Sequence, residues 1–232
     1  AGLNNSNDVQ IEVTAVDNAG NTYKTTNVIK IDITAPTIEV SYDNNSGDTT
    51  FGDDTYFKES RTATVKVTER NFDPAKVIPV IEASAGGVPS ISGWTTVGGS
   101  GNGDDTVNIA TIYYGNDADY TFNISAEDIA GNKSGEVNYG NSLAPTKFTV
   151  DKTVPVISVA YDNNNAAEAG FYKEQRTATV TIQEHNFETS RVVLTMNATD
   201  NGNPASAPTI SGWSGSGDTH TATISFASDA VY

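Results

Sequence analysis

The segment TAPTIEVSYDNN beginning at Thr34 returns as TVPVISVAYDNN at Thr153, an offset of 119 residues from Pro36 to Pro155. YFKESRTATVKVTERNF from Tyr56 returns as FYKEQRTATVTIQEHNF from Phe171, and PSISGW ending at Trp94 returns as PTISGW ending at Trp213. An internal repeat of this length constrains the chain more than any composition value, because each copy must be a unit able to bury its own core. Between the matched blocks the offset drifts from 119 to 115 and back. The length changes therefore fall in Asn- and Gly-rich connections, as loops between fixed elements allow.

A third match, IEVTAVDNAGN from Ile11 with FNISAEDIAGN from Phe122, places the end of one copy ahead of the beginning of the next. Residues 1–34 thus read as the last two strands of a preceding domain. Residues 35–153 read as one complete domain, and 154–232 as a following domain without its last two strands, since Tyr232 is the counterpart of Tyr120.

Periodicity within the copy is two. Ala63, Val65 and Val67 alternate with Thr62, Thr64 and Lys66, as Ala178, Val180 and Ile182 alternate with threonines. That pattern predicts strands with one buried face. Further strands are expected at 38–42, 77–81, 107–113, 120–126 and 147–150, about seven per copy, with turn residues between them, which predicts an all-β antiparallel sandwich. No window carries a helical stripe. Asp117-Ala118-Asp119-Tyr120 and Asp229-Ala230-Val231-Tyr232 have the form of a tyrosine corner, in which the phenol bonds to upstream backbone. The D-x-A-G-N turns at Asp17 and Asp128 combine an Asp that bonds local backbone with a Gly suited to positive φ.

Composition excludes several functions. With 13 Lys+Arg against 29 Asp+Glu, the net charge of -16 disfavours nucleic acid and anionic lipid. No cysteine is present, which excludes disulfides, Cys-zinc sites and a thiol nucleophile. No stretch approaches a membrane span, and the first residues lack a signal peptide, so any export signal lies outside this segment.

The D-x-A-G-N turn, a final strand, and then D-x-T-x-P leading into the next copy (Asp32 to Pro36, Asp151 to Pro155) resemble the tandem bacterial Ig-like repeats of large Gram-positive cell-surface proteins. The resemblance implies an immunoglobulin-like sandwich in tandem and a non-enzymatic, extracellular spacer and adhesive module at the bacterial surface. Its first partners are neighbouring Ig-like repeats. The alternative it brings is direct binding of a host ligand, an immunoglobulin in the manner of a B-cell superantigen or a glycan. The divergence of ASAGGVPSIS from Ala83 against ATDNGNPASAPTIS from Ala198 motivates that alternative.

Candidate chemistry is sparse. His185 and His220 align with Arg70 and Val107, outside the repeated framework, and neither a G-x-S-x-G elbow nor an HExxH helix occurs, so no catalytic residue is assigned. Trp94 and Trp213 are expected in the core rather than as sugar platforms. Tyr113 and Tyr114 offer an aromatic patch specific to the first copy. Acidic runs at Asp43 to Asp48, Asp53-Asp54 and Asp104-Asp105 do not match a spaced calcium loop. Asp32, Asp128 and Asp151 are the better Ca²⁺ candidates because an ion there would stiffen a joint, but turn formation and solubility are the better explanation of them and no metal is expected. The repeated Lys58/Lys173, Glu69/Glu184 and Asn71/Asn186 have the residue types of an isopeptide crosslink. The simpler reading is that ERNF and EHNF close a strand and turn Phe72 or Phe187 into the core.

Overall fold

The computed structural model describes residues 5–44, 49–51, 54–99, 105–134, 137–138 and 147–232. Asp48, Asp53 and Asp104 of the acidic runs lie outside them. Two compact units are present, 1–152 and 153–232. In chain order the first holds β1 (Ser6–Val16), β2 (Thr22–Ile31), β3 (Thr37–Tyr42), β4 (Thr49–Phe51), β5 (Asp54–Phe57), β6 (Arg61–Glu69), β7 (Val77–Ala83), β8 (Thr95–Thr96), β9 (Thr106–Tyr114), β10 (Ala118–Ala126), β11 (Val137–Asn138) and β12 (Lys147–Val150). The second holds β13 (Val156–Tyr161), β14 (Arg176–Gln183), β15 (Ala198–Asp200), β16 (Asn203–Ala205), β17 (Ser214–Ser216) and β18 (Thr219–Phe226). The chain is all-β, and among the described residues its only helical turns are short 3₁₀ segments at 74–76 and 189–191.

In the first unit β1 and β2 form a separate antiparallel hairpin. One sheet then runs β3-β6-β9-β8, and the other runs β11-β10-β12-β5-β4 with β7 on the free side of β10. Side chains from both sheets meet in one apolar cluster, among them Val65, Val67, Ile112, Phe122, Ile124 and Phe148, an arrangement consistent with a β-sandwich. Among the described residues every pairing is antiparallel except β5 with β12, which is parallel at Thr149 opposite Tyr56. This departs from the purely antiparallel expectation. The chain leaves the first sheet after β3 and lies along the last strand of the second, so β5 runs in the direction of β12.

The alternation that predicts β6 extends one step further at each end. Its buried face reads Arg61, Ala63, Val65, Val67, Glu69, so an apolar row is closed by an inward charge at either pole. Arg61 sits with its guanidinium 3.9 Å from the Tyr42 ring centre, 3.8 Å from that of Phe57 and 4.6 Å from that of Phe148, and its Nε donates to the Asn44 carbonyl at 2.8 Å. Burial lowers its pKa to about 10, which leaves it charged at neutral pH and held by ring faces.

The tyrosine corner forms in both copies. Tyr120 donates to the Asn116 carbonyl at 2.9 Å and Tyr232 to that of Ser228 at 2.9 Å. Tyr114, expected as half of a surface patch, is fully buried, because on β9 it alternates with an outward Tyr113. Trp94 and Trp213 are half-buried rather than central. Each meets the Phe of the preceding ERNF or EHNF turn edge-on, at 5.1 Å for Phe72 and 5.1 Å for Phe187.

The second unit contains one four-stranded sheet, β13-β14-β18-β17, and a small β15-β16 hairpin. Strand register places His220 opposite Ile182 just as Asn108 lies opposite Val67. The counterpart of His220 is therefore Asn108 and not Val107, a one-residue correction that moves His220 to the inward side. There it stacks on Phe187 at 4.1 Å.

Candidate functional site

Three carboxylates converge at the pole of the first unit where β2 leads into β3. Asp32 ends the hairpin, Glu69 ends β6, and Asp128 opens the turn after β10; one oxygen from each lies within 4.8 Å of the others. Glu69 and Asp128 are buried, at 4% and 0% exposure. Local sequence explains each position. Glu69 is inward because it continues the period of β6, and Asp128 is held by the D-x-A-G-N turn, whose Gly131 adopts a φ of 94° that side-chain-bearing residues rarely tolerate.

Asparagine amides serve these acids. Asn132 donates to Asp128 through its backbone N–H at 2.8 Å and its Nδ2 at 2.8 Å, and the same Nδ2 lies 3.2 Å from the Asp32 carbonyl. Asn71 donates from its backbone to Glu69 Oε1 at 2.9 Å and from Nδ2 to the Asp32 carboxylate. Lys76 supplies a neighbouring cation; its Nζ donates to the Asp128 carbonyl at 3.2 Å and to Glu127 at 2.9 Å. The Glu127 hydrogen bond raises the Lys76 pKa and lowers that of Glu127. Burial, reinforced by the neighbouring charges of Asp32 and Asp128, pushes Glu69 up.

Of the three calcium candidates, Asp32 and Asp128 meet here. Asp151 does not, because it follows β12, whose Val150 pairs with Ala118 at the start of β10, whereas Asp128 follows that strand's end. Its N–H donates to the Phe57 carbonyl at the opposite pole. Glu69 takes the third place. An oxygen-only donor set of this kind suits a hard cation such as Ca²⁺, which needs six to eight oxygens. Both Asp128 oxygens and one each of Glu69 and Asp32 already accept amide protons. The cluster can hold a proton or a cation while tying three chain segments together.

The isopeptide triplet is not assembled. Lys58 precedes β6 and Glu69 ends it, and nine residues of strand separate the two poles by roughly 25 Å. Glu69 and Asn71 serve the carboxylate cluster instead. Sequence reasoning missed Glu69 as a member of the cluster and Arg61 as its counterpart at the other pole. A signal for their inward placement, though not for their company, was available: extending the two-residue period from Ala63 and Val67 lands on these two charges.

Compared with protein-family models, with curated proteins and with solved structures, the chain matches none.

Proposed function

We propose that this chain is a segment of tandem Ig-like repeats from a bacterial cell-surface protein, working outside the cell as a non-enzymatic spacer and adhesive module. The observation that carries this reading is the tied joint between β2 and β3. Asp32 of D-x-T-x-P is bonded by Asn71 of ERNF and Asn132 of D-x-A-G-N, so the three repeated motifs meet at one point. Asn5 adds a further clamp, accepting from the Ile33 N–H at 3.0 Å and donating to Thr34. Pro36 is buried just beyond, with its φ fixed by the ring. Joints restrained in this way turn a row of domains into a stiff reach, and an acidic, cysteine-free surface suits such an array. Small-angle scattering on an array of several repeats tests the reading. Its longest dimension should grow in proportion to repeat number, and Asn71→Ala should broaden the distance distribution. A compact globule would refute the spacer role.

A second reading, capture of a host protein or glycan, has one observation in its favour. Tyr113 is 61% exposed beside a shallow depression of about 230 Å³ lined by Val88, Pro89 and Asn116. Gly115 permits this placement, since a Cβ there would fall 2.3 Å from the Tyr113 ring. Immunoglobulins, mucins and glycans are the probes, and binding that survives Tyr113→Ala unchanged would discount this face.

A further inference from the structure

The chain leaving β7 crosses from one sheet of the first unit to the other and builds a small site on the way. Ser84 extends the β7–β10 ladder by one step, its N–H donating to the Asp119 carbonyl at 3.0 Å and its Oγ accepting from the Asp119 N–H at 2.9 Å. By Ile91 the chain is bridged to Ile112 of β9. Between these anchors lie Gly86 and Gly87, with φ of 70° and 85°, a left-handed pair that other residues rarely tolerate. Gly86 is also required by close approach. A Cβ there would fall 2.5 Å from that of Asn116, whose Nδ2 donates to the Gly86 carbonyl at 2.5 Å. Asn116 is fixed in turn, because its own carbonyl accepts the Tyr120 hydroxyl of the tyrosine corner.

The depression that results pairs apolar with polar surface. Tyr113, Val88 and Pro89 supply the apolar part, and Asn116 with the backbone of Gly86 and Gly87 supplies the polar part. Among the described residues the N–H groups of Gly86 and Gly87 make no hydrogen bond within the protein, so both are open to a ligand oxygen. No described lining residue is charged, and Lys152 and Asp117 beside the site neutralise each other at 3.4 Å. On a chain of net charge -16, a site free of carboxylates suits a neutral ligand. The second copy lacks these parts together. Ser225, Ala227 and Ser228 stand where Tyr113, Gly115 and Asn116 stand, and the β15–β16 hairpin replaces the glycine crossing, whereas the corner tyrosine is kept as Tyr232. The ring, the glycine that makes room for it and the amide thus differ as a set over an unchanged frame.

We propose that this depression is a carbohydrate subsite that takes one neutral sugar ring, stacked on Tyr113 and hydrogen-bonded through its hydroxyls to Asn116 and the Gly86–Gly87 backbone. The proposal rests on the capture reading and gives that reading its ligand class. A pyranose combines an apolar C–H face with a rim of hydroxyls, which matches an exposed ring beside amide groups. The volume of about 230 Å³ falls below the roughly 300–1,000 Å³ of sites for drug-sized ligands. Size therefore favours a single terminal sugar. A protein partner would cover roughly 800 Å² on this side and centre on a closely packed apolar pocket, whereas this one is open and lined in part by backbone amides. Tyr120 acts as a positioning residue, holding Asn116 in place before the ligand arrives.

The probes are the methyl glycosides of glucose, galactose, mannose, fucose and N-acetylglucosamine, added to the full chain labelled with ¹⁵N. At least one should shift the amide signals of Gly86, Gly87 and Asn116 with a dissociation constant of about 1–10 mM, and leave that of Gly212 beside Trp213 unmoved. Tyr113→Ala should weaken binding about tenfold or more, with the thermal melt unchanged because the ring is exposed. Tyr113→Phe should retain most of it. Gly115→Ala should weaken it as well, since the added methyl displaces the Tyr113 ring. No shift from any of the five at about 50 mM, or shifts that persist in Tyr113→Ala, would overturn the sugar assignment. Immunoglobulin binding that is lost in Tyr113→Ala yet not displaced by the glycosides would also overturn it, while leaving capture by this face standing. Absence of both kinds of binding would remove the capture reading too.

Discussion

The two copies differ most where their sequences are most alike in kind. Val77–Ala83 forms β7, whereas the equally apolar run from Val192 through Met196 stays irregular, with Val193 87% exposed. Both follow the same local punctuation, a 3₁₀ turn capped by Asp73 in one and Glu188 in the other. Local chemistry is therefore not what separates them. β10 supplies a hydrogen-bonding edge and an apolar face to the first segment, and the second has only the Thr199–Val231 bridge near its end. Strand formation here is a property of the pair, since an apolar alternating run fits a pleated surface only when a neighbour satisfies its backbone. The sheet β13-β14-β18 is present without such neighbours, because all its strands are paired within the unit.

The largest test of this contrast is to make the first copy resemble the second. Phe122 is buried on the inward face of β10. Phe122→Ala should cost about 3–5 kcal/mol in denaturant unfolding of the first unit. The amides of β7 should lose hydrogen-exchange protection before those of β6. Ile224→Ala on β18 should cost nearer 2 kcal/mol, because it belongs to the smaller of the two apolar clusters. Equal protection loss in β6 and β7 would show that the two sheets form as one, against the independence inferred from the second copy.

A smaller difference is expected at the tyrosine corners. Both phenols make the same 2.9 Å bond, yet Tyr120 is buried and Tyr232 is 41% exposed, so that water would take the place of its bond if the hydroxyl were removed. Tyr120→Phe should lose about 1 kcal/mol by orphaning the Asn116 carbonyl, and Tyr232→Phe close to none. Comparable losses would mean that the second corner is covered in solution.

Sequence reached unevenly into this structure. The strands with a strict two-residue period, β6, β9, β10 and β14, were legible because burial on one face writes itself into alternation. β4, β5, β8 and β11 were not, since each has two to four residues and takes its conformation from a neighbour. Asp32 and Asp128 were legible as joint residues from the repeated D-x-T-x-P and D-x-A-G-N motifs. Their meeting with Glu69 was not, because it depends on the turn after β10 folding back to the end of β6, a relation no spacing in the chain encodes. Asp151 shares its motif with Asp32 but lies at the opposite pole from Asp128, so a motif located the type of place and topology decided its company.

The smallest effect concerns that cluster and its counterpart. Glu69 is buried beside Asp32 and Asp128, which raises its pKa above the ordinary 4.5. A carboxyl whose folded pKa is raised binds its proton more tightly when folded. Its contribution is thus fully present below the unfolded pKa and is lost as pH rises through the folded one. Glu69→Gln mimics the protonated form and keeps the acceptor for the Asn71 N–H. It should raise the melting temperature at pH 7 by roughly 3 °C, and the gain should vanish near pH 4. Glu184 bonds Asn186 in the same way at 2.9 Å but is half-buried, so Glu184→Gln should change little at either pH. A divalent cation would reverse the sign, because it favours the ionised cluster. If Ca²⁺ raised the melting temperature of the parent and Glu69→Gln removed that rise, an ion rather than a proton would neutralise the joint. With the amides of Asn71 and Asn132 already committed to these oxygens, chelator and Ca²⁺ are expected to leave the melting temperature within about 1 °C.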